Sequence, residues 1–197
     1  MRPRSGESQI EYPHRRVIPR RRPRTNPRPR VARPADTSAA SARARADLDL
    51  FIAKFTPEIA APARSAIAWM RRRLPGAVEL VYDNFYALVI GYAPTEKPSS
   101  ALFSIVIRPR HISLCFLHGV TLARAGGDPK KLLQGQGNQV RNIRLADAKT
   151  LTSPDVQALI DNAIALSPEP FVPSRGISTI VRLKAARQFP RRPGAPR

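Results

Sequence analysis

The sequence predicts an α+β fold: a two-layer domain in which an antiparallel sheet of about five to six strands packs against N-terminal and C-terminal helices. Three observations carry this. Apolar residues recur at helical spacing between 47 and 74, at period two in short segments between 78 and 117, and at helical spacing again from 154. The strand segments follow one another closely, which favours a meander. Helices, then strands, then a helix put the two kinds of element in separate layers.

Asp47 to Phe55 places Leu48, Phe51, Ile52 and Phe55 on one helical face. Thr56-Pro57-Glu58 supplies an N-cap, a proline at the first helical position and an acid in the first turn of a second helix. Ile59, Ala63, Ala66, Ile67, Met70 and Leu74 form its apolar stripe, and Pro62 should kink or delay it. Arg71-Arg72-Arg73 suits the negative end of the helix dipole, and Pro75-Gly76 stops the helix.

Strands follow. Val78, Leu80 and Tyr82 alternate with Glu79, Val81 and Asp83, and Asp83-Asn84 is a turn pair. Tyr86 to Tyr92 reads as a central strand, Leu102 to Arg108 as a third, and Ile112 to Leu117 as a fourth after the Pro109-Arg110 turn. A glycine-rich loop runs from Gly119 to Asn138, and Val140 to Leu145 forms a fifth strand. Ser153-Pro154-Asp155 opens a helix with Val156, Leu159, Ile160, Ala163 and Ile164 inward. Gly176 to Leu183 alternates and adds a last strand.

The formal charge of +20 is concentrated outside this body. Residues 1–46 carry a net +10 and residues 171–197 a net +7, against +3 for 47–170. The expected organisation is therefore a disordered Arg/Pro-rich tail over 1–46, a domain over 47–184, and a basic C-terminal tail over 185–197. Arg20-Arg-Arg-Pro-Arg-Thr-Asn-Pro-Arg-Pro-Arg30 is low complexity, since proline removes backbone donors and like charges repel. Such tails suit electrostatic contact with nucleic-acid phosphates, although Tyr12 is the one aromatic of the first tail and base stacking there has little to work with. The plainer alternative is a solvated extension, or sequence lying ahead of the true start. Residues 1–46 are expected to be dispensable for folding. A single cysteine excludes an internal disulfide framework and fits a cytoplasmic setting. No apolar run approaches the length of a bilayer span, and the basic N-terminus lacks the apolar core of a secretory signal.

Catalytic motifs are missing: there is no Ser-His-Asp order, spaced carboxylate pair or Cys-x-x-Cys. His111, Cys115 and His118 would share a helical face, but on a strand His111 and Cys115 lie about 13 Å apart and His118 points elsewhere, so an inert Cys115 is the expectation. Gly126-Gly-Asp-Pro-Lys-Lys and Gly135-Gln-Gly-Asn-Gln lack the Gly-Lys-Ser/Thr ending of a phosphate loop. Their backbone donors still lie near Lys130, Lys131, Arg141 and Arg144, which makes a small anion site conceivable. Period two puts Arg141 on the face of Ile143 and Leu145, where a charge needs a partner. Glu79 and Asp83 are the available acids, so Arg141 reads as a structural ion pair or as a ligand-binding residue, with Arg144, Lys130, Tyr82 and Asp83 as its companions.

Leu74-Pro-Gly-Ala-Val-Glu-Leu-Val-Tyr-Asp-Asn-Phe-Tyr-Ala-Leu-Val-Ile-Gly-Tyr92, Ser104-Ile-Val-Ile-Arg-Pro-Arg110, Gly135-Gln-Gly-Asn-Gln-Val-Arg-Asn-Ile-Arg-Leu145 and Thr179-Ile-Val-Arg-Leu-Lys-Ala-Ala-Arg-Gln-Phe-Pro-Arg-Arg192, in that order, resemble the bacterial YdhG-like domain family. The resemblance covers roughly 47–192. It implies a small α+β fold in a cytoplasmic bacterial protein, a basic ending that belongs to the domain, and 1–46 as an addition. Some members are described as frataxin-like iron chaperones, which implies iron held by carboxylates such as Asp47, Asp49, Glu79 and Asp83, since hard cations take oxygen ligands. The expected function is thus a non-enzymatic small-ligand or ion-binding module. The alternatives are nucleic-acid association through the basic tails and an unrecognised enzyme using Arg141 with Tyr82 and Asp83.

Overall fold

In the computed structural model, residues 34–192 are described; the Arg/Pro-rich run before them and the last five residues lie outside the described residues. The helices are α1 (Pro34–Ala53), α2 (Pro57–Arg73), α3 (Gly119–Arg124) and α4 (Pro154–Ala165). The strands are β1 (Val78–Asp83), β2 (Leu88–Ala93), β3 (Phe103–Arg108), β4 (His111–Phe116), β5 (Arg141–Leu145) and β6 (Ser178–Lys184). Among the described residues no helix is long and apolar enough to cross a membrane.

The six strands form one sheet in the order β5-β4-β3-β2-β1-β6. The α+β reading holds, with one correction to the purely antiparallel sheet. β1 to β5 are a meander, but β6 returns across the molecule and pairs parallel to β1. The register of β1 with β6 slips between Val81 and Tyr82.

The helices bury one face of the sheet. Leu48, Phe51, Ile52 and Phe55 of α1, Ala63, Ala66, Ile67 and Met70 of α2, and Val156, Leu159 and Ile160 of α4 share a core with Val81, Leu88, Ile90, Ile105, Ile107 and Leu114. Leu80, Ala93 and Ala101 form a small cluster on the other face, flanked by Val78, Tyr82 and Ile180. The strand alternation therefore selects Glu79, Val81 and Asp83 as the inner face of β1, so that two carboxylates go under the helices.

Pro62 lies inside α2, which runs unbroken from Pro57 to Arg73. Gly76 ends the turn after α2 at φ +82°, and a Cβ there would fall 2.0 Å from the Val172 carbonyl oxygen. Only glycine lets the segment ahead of β6 approach that closely. The expected glycine-rich loop contains the six residues of α3.

Both expected domain boundaries move outward. α1 begins at Pro34 rather than near 47, because its early turns pack on β6. Ala44 is buried, Ser41 Oγ accepts the Thr179 amide at 2.9 Å, and the Arg45 guanidinium donates to the Ile177 carbonyl at 2.6 Å. Residues 185–192 are likewise part of the domain: the amide of Ala185 donates to Asp83 O and that of Phe189 to Phe85 O. These contacts weigh against the expectation that 1–46 is dispensable, while 1–33 lie outside the described residues. A chain starting at Asp47 is expected to lose about 3 kcal/mol of stability, at roughly 1 kcal/mol for each of the three hydrogen bonds that Ser41 and Arg45 make with Ile177 and Thr179. Urea unfolding checks this against a chain that starts at Pro34.

Candidate anion site

The parallel pairing of β6 decides where the chain's chemistry collects. β1 and β6 run the same way, so the chain leaves β6 at the end of the sheet where β1 turns into β2 and β3 into β4. Three connections meet there: Asn84–Ala87, Pro109-Arg110 and the segment from Ala185 to Arg192.

Asp83 anchors this end. It is 1% exposed, and its carboxylate accepts from Lys54 Nζ at 2.8 Å, from Arg191 Nη2 at 2.8 Å and from the Gln188 amide. Arg191, 5% exposed, also donates to the Asn84 carbonyl and lies 5.3 Å from the centre of the Phe55 ring. Arg192 reaches the carbonyls of Ala53 and Lys54 at 3.4 Å each, where the last turn of α1 leaves acceptors free. One carboxylate thus ties α1, the β1–β2 turn and the C-terminal segment together, beneath an excess of positive charge.

Beside this anchor lies a groove of about 490 Å³ lined by Arg108, Pro109, Arg110, His111, Phe189, Pro190 and Arg192. Arg108 and His111 are register partners across the β3–β4 hairpin. No acid is among the lining residues. His111 is held below its ordinary pKa by burial first, then by Arg108 and Arg144. Both causes favour the neutral imidazole in the free protein.

A second carboxylate is buried further along β1. Glu79, 0% exposed, accepts from Arg71 Nε and Nη2 at 2.8 Å each and from Thr179 Oγ at 2.7 Å. The Glu79 hydrogen bonds raise the Arg71 pKa above its usual value against the opposing effect of burial. Tyr92 is the cross-strand partner of Glu79, and burial, then the Glu79 charge, push its phenol well above the ordinary value.

The residues singled out from sequence do not form one site. Arg141 does face the side of Ile143 and Leu145, but β5 and β1 are separated by three strands, about 19 Å at the usual spacing. It cannot pair with Glu79 or Asp83. Arg141 instead donates to the Gly137 and Val140 carbonyls, and its stem packs where a Cβ on Gly119 would sit. Lys130 is exposed in the loop after α3. Arg144 pairs with Ser113 on the open face and contributes to the field at His111. Tyr82 and Asp83 are on opposite faces of β1, so the grouping of Arg141 with Tyr82 and Asp83 does not assemble. Asp47 is paired with Lys184 Nζ at 2.8 Å, and Asp49 is exposed on α1. Among the described residues no three or more His, Cys, Asp or Glu are placed to hold a metal ion, and His111, Cys115 and His118 are no exception.

Arg108, Arg110, Phe189 and Arg192 were legible as basic or aromatic residues, but nothing in the sequence brings them together. Tyr86 is a correction: β2 starts at Leu88, leaving Phe85 and Tyr86 in the turn. Two aromatics directly after an Asp-Asn turn pair were the available signal. No family model matches this chain, and neither does any curated protein or solved structure.

Proposed function

We propose that this protein is a non-enzymatic binding module that takes a phosphate-bearing anion in the groove between the β3–β4 turn and the C-terminal segment. The reading rests on one observation: Arg108, Arg110, His111 and Arg192 line a single groove with no acid among its walls. Such a site attracts anions by its field and gives planar guanidinium donors to phosphate oxygens. The YdhG-like assignment and a cytoplasmic setting belong to the same proposal and rest on the sequence resemblance.

The iron-chaperone reading finds less support. Glu79 is matched by Arg71, Asp83 by Arg191 and Lys54, and Asp47 by Lys184, so these carboxylates are already neutralised. Nucleic-acid association keeps a specific motive in the +10 and +7 charges of the two terminal segments.

Sulfate tests the groove, because its charge is constant across the relevant pH range. Calorimetric titration is expected to detect binding that the Arg108→Ala/Arg110→Ala double variant loses. Its pH dependence follows from His111. An anion offsets the two neighbouring arginines, so the bound pKa exceeds the depressed free value. Affinity should be low at pH 8 and rise as pH falls through the region near and below the ordinary histidine value of about 6.5. His111→Gln is expected to flatten that profile. Undiminished sulfate affinity in the double arginine variant would contradict the assignment.

A further inference from the structure

The groove continues into an aromatic surface. Phe85, Tyr86 and Phe189 are 42%, 67% and 50% exposed. Single exposed apolar side chains are normal on any protein, but these three touch. The Phe85 and Tyr86 rings meet edge to face with centres 4.6 Å apart, and Tyr86 lies 6.1 Å from Phe189, which itself lines the groove. The rings are also held in place. The Phe189 amide donates to the Phe85 carbonyl at 2.8 Å, which pins the C-terminal segment to the β1–β2 turn. Asp83 is buried and engaged just below, and Lys184, Arg187 and Arg192 are exposed along the same segment.

We infer that this surface binds single-stranded nucleic acid, with phosphates in the arginine-lined groove and unpaired bases stacked on Tyr86 and Phe189. The inference rests on the anion reading of the groove and names its ligand. Aromatic rings beside a basic track are what a strand with free base faces requires, because each base offers a π-face whatever its sequence. A duplex keeps those faces inside its own stack, and a simple anion gives the rings nothing to cover. The rings already contact one another, so bases stack on their outward faces and not between them. Binding is therefore sequence-tolerant and salt-sensitive, the log–log slope for single strands being about −0.7 per phosphate contacted.

The test uses the full chain and two fluorescent oligomers of about ten nucleotides, one oligothymidine and one with the same backbone but abasic. Both carry equal phosphate charge, so contacts made by the terminal segments cancel in the comparison. The intact protein is expected to prefer oligothymidine by roughly 5- to 150-fold, the range given by about 1–3 kcal/mol of stacking. Tyr86→Ala should shrink that preference and leave abasic affinity alone, while Tyr86→Phe keeps it; Phe189→Ala should shrink the preference too and, because its ring also walls the groove, weaken abasic binding as well. Arg108→Ala/Arg110→Ala should weaken both oligomers alike. Equal affinity of the intact protein for the two oligomers, or a preference untouched by both aromatic→Ala changes, overturns the stacking inference and leaves the groove standing. Arginine variants that bind both oligomers as tightly as the intact chain overturn the groove itself.

Discussion

Arg71→Ala is expected to destabilise the fold by about 3 kcal/mol, the lower end of what breaking a buried ion pair costs. Glu79 is fully enclosed, and two of its hydrogen bonds come from the Arg71 guanidinium. Without them it keeps only Thr179 and faces the neutral phenol of Tyr92. A charge in that position loses its hydration and gains nothing in return. The figure sits at the low end because a third of the Arg71 side chain is exposed, so water reaches the outer edge of the pair. The same argument predicts the cure. Replacing both partners with methionine removes the stranded charge, and the double variant should recover most of the loss. Urea unfolding of the single and double variants decides it; equal destabilisation in both would show that packing, not charge, is what Arg71 supplies.

Asp83→Ala should cost more, about 4 kcal/mol, because both members of the Asp83–Arg191 pair are buried, whereas Arg71 leaves a third of its side chain to solvent. Arg191 is 4% exposed at its side chain, and among the described residues Asp83 is its one acid. The remaining partners, the Asn84 carbonyl and the Phe55 ring, cannot neutralise a guanidinium. The loss spreads further, since Gln188 is also held by Asp83 and the groove wall at Phe189 to Arg192 depends on the same anchor. Arg191→Ala should be milder, because Lys54 still serves the carboxylate. Lys54→Ala should be milder again, below about 1 kcal/mol, since its side chain is 40% exposed. The order Asp83, Arg191, Lys54 in thermal melts is the result to look for. A Lys54 effect as large as that of Arg191 would place the energetic centre at the surface.

Periodicity was enough to locate most elements. Val78–Asp83, Phe103–Arg108 and Arg141–Leu145 fall within a residue of the expected strands, since alternation and turn residues are local properties. What escaped was anything that depends on which elements are neighbours. The alternation of β1 divides its residues into two sets without saying which lies under the helices, and the answer puts Glu79 and Asp83 inside. The first half of α1 is rich in alanine and serine and shows no apolar stripe, so its helicity comes from packing on β6, which a window of sequence does not contain. Arg141 illustrates the same boundary. Its face was readable from period two, but its partner required the strand order, and that order separates it from both proposed acids. The groove is the extreme case, because it is built from two stretches about 80 residues apart that meet only because β6 lies parallel to β1.

That parallel strand has a consequence for how the chain is made. Glu79 waits for Thr179, 100 residues later, and Asp83 waits for Arg191, 108 residues later. At synthesis rates of about 5–20 residues per second, β1 spends several seconds outside the ribosome as an exposed sheet edge. Such an edge is a template for pairing with other chains, and inward-pointing charges are one of the ways proteins blunt it. Until Thr179 and Arg191 arrive, Glu79 and Asp83 have only part of their partners and make the inner face of β1 unattractive to any other strand. The carboxylates that knit the finished fold are thus also what keeps the nascent one from pairing with its neighbours.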